Sequence, residues 1–164
     1  MTDNLDMFSN ENALAIAKKE TMANAREKGC GCPVCGQFVK VYKRTINSSM
    51  AAQLIRAQRR YSTREAFHVK DLLEGEGGGA DFAKLRYWNL IIELSNDNPF
   101  KKNSGRWMIT EHGCAFIMGY RKIPKYALIY NGKFLDFDGD EIMTIQDALG
   151  NKFNYRELID AQIS

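Results

Sequence analysis

The sequence has little proline and histidine, almost balanced charge, and no long apolar run. Three prolines and two histidines stand among 164 residues, and 23 basic side chains face 20 acidic ones. The resulting charge of +3 is too small for a histone-like coat on nucleic acid. The longest apolar stretches, such as residues 126–130, fall far short of the roughly twenty residues of a membrane span. Because 45% of the residues are apolar and 11% aromatic, disorder is also excluded, and we expect one globular domain with or without appendages.

The first ten residues predict where the chain resides. They contain Asp3 and Asp6 and lack the basic start and apolar core of a signal peptide, so we expect a cytoplasmic protein without membrane association. Disulfides are rare in that compartment, and the four cysteines are therefore expected to be thiols or metal ligands.

Three of the cysteines lie close together in the sequence. The segment from Cys32 to Gly36 matches half of a zinc ribbon, whose tight turn lets two thiolates face one tetrahedral ion. A second Cys-x-x-Cys pair does not follow, so Cys30 is the candidate third ligand of a structural zinc ion at Cys30, Cys32 and Cys35. The fourth ligand would be His68, His112 or Cys114. Three reduced thiols, one half of a site that a second subunit completes, and a redox pair are the other interpretations.

Basic side chains are concentrated in two segments. Residues 30–70 hold eight basic side chains against Glu65 alone, and residues 101–125 hold six against Glu111 alone. Two such segments between acidic ones would form a basic face on a nearly neutral body, which is typical of a nucleic-acid binder. The alternative is that these side chains only solvate two exposed helices and a loop.

Propensity and spacing predict four helices in the first half of the chain, together with a strand at 38–43 and a flexible glycine loop at 75–79. The first helix covers 10–28 and ends at Gly29, and the second is opened by Ser48 or Ser49 and has an inner face of Met50, Leu54, Ala57 and Tyr61. The third runs from Ser62 to Leu73, with Glu65 completing a capping box. The fourth is capped by Asp81 and has an inner face of Phe82, Leu85 and Trp88.

The fourth helix is expected to stop at Asn89, because Asn is second only to Gly in the left-handed conformation that ends helices. A strand at 91–94, a polar tip at 95–104 and a returning strand at 105–109 are predicted next. Thr110 is then the predicted cap of a helix over 111–118.

This order of elements resembles the winged helix-turn-helix, especially the MarR-like version, over about residues 63–119. In that family a leucine precedes a helix end, two apolar residues, an arginine-bearing wing and a Leu-Thr-x-x-Gly entry into the next helix. The matching residues here are Leu85, Leu90-Ile91, Gly105-Arg106, Ile109-Thr110, Gly113 and Phe116. Asn89 stands where glycine is usual. The whole sequence also resembles small uncharacterised proteins from bacteriophage genomes.

The resemblance implies roles in binding double-stranded DNA. A recognition helix enters the major groove, and a wing reaches the backbone or the adjacent minor groove. The implied recognition-helix residues are Lys84, Arg86 and Tyr87; those of the wing are Lys101, Lys102 and Arg106; and the preceding helix adds Arg56, Arg59 and Arg60. Arg86 or Arg106 could instead pair with Glu93 or Asp97.

The C-terminal residues predict a small antiparallel sheet of strands 126–130, 133–137 and 141–144, with a hairpin turn at Asn131-Gly132. Two short helices follow, with Thr144 as cap and Gly150 as stop of the first. The predicted fold class is α+β. Its parts are an N-terminal helix at 1–29, a cysteine knuckle and strand at 30–47, a winged helix-turn-helix core at 48–122 and a β-rich appendix at 123–164.

The function that these patterns favour is DNA binding by a regulator, encoded by a bacteriophage if that resemblance holds. The alternative is a winged-helix module that docks on another protein, such as one of a host, and a homodimer is compatible with both. Neither His68 nor His112 lies in a recognisable nucleophile motif, so we expect no enzymatic activity.

Overall fold

A computed structural model describes residues 3–74 and 78–161. Within them the chain divides into two compact units. The first unit contains residues up to 44 together with 128–136, and the second contains 45–127 together with the residues from 137 onward. Most of the predicted glycine loop, residues 75–77, lies outside the described residues.

Most elements are short, and in the described part of the chain only two helices exceed ten residues. In chain order they are α1 (Asp3–Glu27), β1 (Cys30–Gly31), β2 (Phe38–Val39), β3 (Tyr42–Arg44), α2 (Ser48–Arg60), β4 (Phe67–His68), α3 (Val69–Leu73), α4 (Gly79–Phe82), a 3₁₀ helix (Ala83–Trp88), β5 (Ile91–Glu93), β6 (Arg106–Ile109), α5 (Glu111–Ile117), β7 (Ile123–Pro124), β8 (Ala127–Tyr130), β9 (Lys133–Phe137), β10 (Ile142–Met143), α6 (Ile145–Leu149) and α7 (Tyr155–Asp160). The described chain is therefore mixed α+β, with several small sheets.

The first unit is built on the long helix α1. This helix begins at Asp3 rather than at Asn10 as predicted, and it ends as predicted before Gly29, whose φ of +84° suits glycine. The amides of Lys28 and Gly29 both donate to the carbonyl of Asn24. The chain then forms the antiparallel pair β1–β2. A small core joins these elements to β8; its buried members are Ala25, Val39, Val41 and Leu128.

The predicted Asn131-Gly132 turn joins β8 to β9 in a sheet of order β3-β8-β9. Asn131 and Gly132 have φ values of 48° and 71°, as a tight hairpin turn requires. The predicted third strand of the appendix does not join this sheet. It forms β10, which pairs with β7 in the second unit because Met143 and Ile123 bury their side chains there.

Helix α2 provides much of the core of the second unit. Its cap is Asn47 rather than Ser48 or Ser49, because the Asn47 side chain accepts the Met50 amide at 2.9 Å. Met50, Leu54 and Ala57 are buried as predicted, whereas Tyr61 is only half-buried and stacks on Phe67. The predicted inner face of this helix is therefore confirmed except at its last member.

The predicted helix from Ser62 to Leu73 is wrong in its first half. The Ser62 amide does donate to the Glu65 carboxylate, but the chain turns there and continues into strand β4 before α3 begins. Phe67 pairs with Trp107 across the sheet and contacts the ring of Phe82 edge-on. These distant aromatic contacts outweigh the local helical preference.

Strand β4 is one edge of an antiparallel sheet of order β4-β6-β5. Strands β5 and β6 form a hairpin in which Ile91 faces Ile109 and Glu93 faces Trp107. The order helix, strand, two helical segments and hairpin leads directly into α5.

The helical segment before the hairpin is an α-helical turn followed by the 3₁₀ helix, rather than the single α-helix that Asp81 was predicted to cap. Its N-cap is Gly78. A 3₁₀ helix aligns residues three apart, and Phe82, Leu85 and Trp88 form one fully buried row as predicted. Asn89 ends the segment with φ 56°, which confirms the predicted stop.

A clamp formed by Thr110 and Gly113 joins this helix end to α5. Thr110 caps α5 by accepting the Gly113 amide at 2.9 Å, and its hydroxyl donates to the carbonyl of Asn89 at 2.6 Å. A Cβ at Gly113 would lie 2.2 Å from the carbonyl oxygen of Leu90. The Thr-x-x-Gly pattern therefore permits a close approach that a larger residue would prevent.

Candidate functional site

The 3₁₀ helix exposes two rows beside its buried one. With three residues per turn, Ala83 aligns with Arg86, and Lys84 aligns with Tyr87. All three residues predicted for the recognition helix thus lie outside the buried row. The ammonium group of Lys84 pairs with Asp81 at 2.5 Å, and the Arg86 guanidinium lies 5.3 Å from the centre of the Tyr87 ring.

Glu93 links the 3₁₀ helix to the hairpin. One carboxylate oxygen of Glu93 lies 3.5 Å from the Arg86 guanidinium, which is the pairing considered from the sequence. The other accepts the backbone amide of Ser104 at 3.2 Å, at the base of the hairpin tip. The Ser104 hydroxyl in turn accepts the amide of Arg106. One side chain therefore holds together Arg86 and the segment that precedes Arg106.

The hairpin tip is ordered by asparagine side chains. Asn96 accepts the amide of Asn98, and Asn98 accepts the amide of Phe100 at 2.9 Å. Phe100, Lys101 and Lys102 are exposed in this tip, and Phe100 is 95% exposed. Phe100 was missed in the sequence reasoning, although a large apolar residue between Pro99 and Lys101 in an otherwise polar tip was a signal.

The arginines of α2 have other contacts. Arg60 pairs with Glu74 at 2.8 Å and donates to the carbonyl of Asp71. The Arg56 guanidinium lies 5.9 Å from the centre of the Phe153 ring. The role predicted for Arg56, Arg59 and Arg60 in DNA binding stays a prediction, since these contacts lead to α3 and to the C-terminal segment rather than to the hairpin.

The cysteine segment of the first unit forms a tight turn. The Cys32 amide donates to the carbonyl of Gln37, the Gly36 amide donates to the carbonyl of Cys32, and both distances are 2.8 Å. The backbone amides of Cys35 and Val34, and then the Cys35 thiol, donate to the Cys32 sulphur and lower the pKa of the Cys32 thiol. Turn amides that donate to a sulphur stabilise it as a thiolate.

The third cysteine of the predicted zinc set is engaged elsewhere. The Cys30 thiol donates to the carbonyl of Thr21 at 3.5 Å and packs against the small core. In residues 3–74 and 78–161, no group of three or more His, Cys, Asp or Glu side chains is arranged to hold a metal ion. The predicted site with Cys30, Cys32 and Cys35 therefore stays a prediction.

Each candidate for the fourth ligand has a contact within the second unit. His68 caps α3 by accepting the Lys70 amide at 3.1 Å, and Cys114 contacts the Thr63 hydroxyl at 3.0 Å. His112 lies 3.1 Å from the Arg121 guanidinium. Burial, and then the charge of Arg121, lowers the pKa of His112, which keeps this imidazole neutral near pH 7.

Comparison with protein-family models, with curated proteins and with solved structures finds no match to this chain. Of the described helices, α1 is the longest, and neither it nor any other has the length and apolar character needed to cross a membrane. Inferences about function therefore depend on the geometry of the two units.

Proposed function

We propose that this chain is a DNA-binding regulator and that its second unit is a winged helix-turn-helix domain. The observation that carries the proposal is the order helix, strand, two helical segments and hairpin, with the sheet order β4-β6-β5. This is the arrangement in which winged helix proteins present a recognition helix and a wing. The 3₁₀ helix would be the recognition segment, and residues 95–104 would be the tip of the wing.

The exposed side chains support contacts with the phosphate backbone. Lys101 and Lys102 lie in the exposed tip, and Lys84 and Arg86 lie on the outer rows of the 3₁₀ helix. The pairing of Arg86 with Glu93 is partly exposed, and such pairs contribute only about 0–1 kcal/mol. A phosphate can therefore replace the carboxylate without a large loss of stability.

Phe100 adds a different kind of contact. Exposed apolar side chains of minor-groove binders insert between base steps and kink the duplex. Because Asn96 and Asn98 order the tip, Phe100 is held in the solvent next to two lysines. We propose that Phe100 bends DNA while Lys101 and Lys102 hold the backbone.

One observation favours the alternative, a module that docks on another protein. Both basic side chains of the 3₁₀ helix are paired with carboxylates, Lys84 with Asp81 and Arg86 with Glu93. In that case Phe100 would be an anchor in an apolar pocket of the partner. Partner capture that survives removal of Lys101 and Lys102 would then be expected.

The test is fluorescence-polarisation binding to a labelled random-sequence duplex over a salt titration. We expect binding at low salt. The salt slope, meaning the slope of the logarithm of the binding constant against the logarithm of the salt concentration, should become shallower by about two in Lys101→Ser with Lys102→Ser, near one for each lost phosphate contact. Two adjacent lysines of the first unit supply a matched control, Lys18→Ser with Lys19→Ser, which should leave the slope unchanged.

The bending role of Phe100 is measured separately by energy transfer between dyes at the two ends of a duplex. Phe100→Ala should reduce the bend and leave the salt slope intact, because no charge is removed. Absence of binding at low salt, or equal slopes for both double-lysine variants, would contradict DNA binding through the tip.

A further inference from the structure

The Cys32–Cys35 turn supplies two ligands of a metal site and no more. The amides of Val34 and Cys35 face the Cys32 sulphur, and Gly36, at φ +74°, closes the turn. This is the local geometry in which two thiolates of a Cys-x-x-Cys turn face one ion. A structural zinc ion takes four ligands, and the third cysteine of the segment, Cys30, donates to the carbonyl of Thr21 instead.

An apolar groove of about 330 Å³ runs beside the turn, between it and α1. Leu14 and Val34 line it and are 60% and 77% exposed. Large apolar side chains that are this exposed and line one groove are typical of a surface that a partner covers. Cys32 lines the groove as well, so the groove reaches the turn that carries the two thiols.

The small core of the first unit also favours association with a partner. Its buried members are Ala25, Val39, Val41 and Leu128, and cores of this size depend on metals or association for stability. A second copy of the chain would supply both the missing zinc ligands and the missing apolar contacts. It would add two thiolates, and it would cover Leu14 and Val34 with its own equivalents around a two-fold axis.

We propose that Cys32 and Cys35 of two copies of this chain bind one zinc ion as a tetrathiolate, with the faces around Leu14 and Val34 packed about the same axis. Each of the four thiols releases its proton to solvent as the ion binds, and nothing is oxidised or reduced. Cys30 and Cys114 take no part. The proposal does not depend on DNA binding.

The test is a Co²⁺ titration of the reduced full-length chain, followed by visible absorption and by sedimentation. We expect a tetrathiolate spectrum that saturates at one ion per two chains, a dimer at saturation, and return to monomer with a chelator. Zn²⁺ should displace Co²⁺ without dissociating the dimer. Saturation at one ion per chain in a monomer, or absence of thiolate-to-cobalt absorption, overturns the proposal.

Variants identify the ligands and the face. Cys35→Ser should abolish both the spectrum and the dimer, whereas Cys30→Ser with Cys114→Ser should retain both. Val34→Asp should weaken the metal-dependent dimer about tenfold or more, because a carboxylate would be buried in an apolar interface. Loss of the spectrum in the double variant, or a Val34→Asp dimer as tight as the native one, counts against the shared site. Far-UV circular dichroism, which includes the long helix α1 of the first unit, shows whether each variant is folded.

Discussion

The two units differ in how much apolar material they bury. Among the described residues, the largest fully buried side chains all belong to the second unit, with Phe82, Phe116 and Leu54 as examples. Among the described residues, the buried apolar side chains of the first unit are smaller or fewer: Ala25, Val39, Val41, Leu128 and Ile129. The comparison teaches that core packing accounts for the fold of the second unit, while the first unit needs a further source of stability.

The largest expected effect is therefore a core deletion in the second unit. Phe116→Ala should lower the free energy of unfolding by about 3–5 kcal/mol, whereas Val41→Ala in the first unit should cost about 1–2 kcal/mol. Urea unfolding followed by tryptophan emission and by circular dichroism distinguishes the effects of the two variants. Both tryptophans, Trp88 and Trp107, are buried in the second unit, and far-UV circular dichroism includes the long α1. Equal shifts of both signals by both variants would remove the distinction between the units.

A smaller change in stability is expected at the two asparagines with left-handed backbone conformation, one in each unit. Asn89 and Asn131 have φ values of 56° and 48°, a region that costs most residues about 1–2 kcal/mol. Asn89→Ala should therefore shift the tryptophan transition, and Asn131→Ala the dichroism transition, by about 1 kcal/mol. The controls Asn89→Gly and Asn131→Gly should be nearly neutral. If alanine is also neutral at either position, that turn is not limited by its backbone conformation.

The smallest effect concerns pH and the cap of α6 in the second unit. The Thr144 backbone amide donates to the Asp147 carboxylate and lowers its pKa. The resulting stability is present above the unfolded-state pKa, near 3.9, and is lost as pH falls through the lower folded-state pKa. Asp147→Asn should remove this part of the acid dependence of the urea midpoint. Thr144→Ser, which keeps the hydroxyl and the amide, should retain it; an unchanged profile in Asp147→Asn would contradict the cap.

Local signals predicted the parts of the fold that depend on neighbouring residues. The helix stop at Asn89, the buried row of Phe82, Leu85 and Trp88, and the cap at Thr110 followed from residue type and spacing. The strict three-residue interval of that row also favoured a 3₁₀ helix over an α-helix, a signal left unused. The order of the elements from α3 to α5 was accessible for the same reason.

Distant pairings escaped sequence reasoning. The bond between Ser62 and Glu65 forms whether or not a helix follows, so it could not reveal that Phe67 pairs with Trp107. Nothing local indicated that Met143 would pair with Ile123. At the candidate site, Phe100 was overlooked because the tip was judged by its many polar residues, although one large apolar residue among them was a signal. The residues predicted for DNA contact are located by the structure, and their role stays a prediction.

The clamp of Thr110 and Gly113 has a consequence for how the protein can vary. It holds the end of the 3₁₀ helix against the start of α5, and these are the points where the chain enters and leaves the hairpin. The chain between Leu94 and Gly105 can then lengthen, shorten or change its residues without moving the helices, since loop length costs little entropy. The tip is thus a natural position for grafting, because its residues can change while the surrounding helices and strands keep their places.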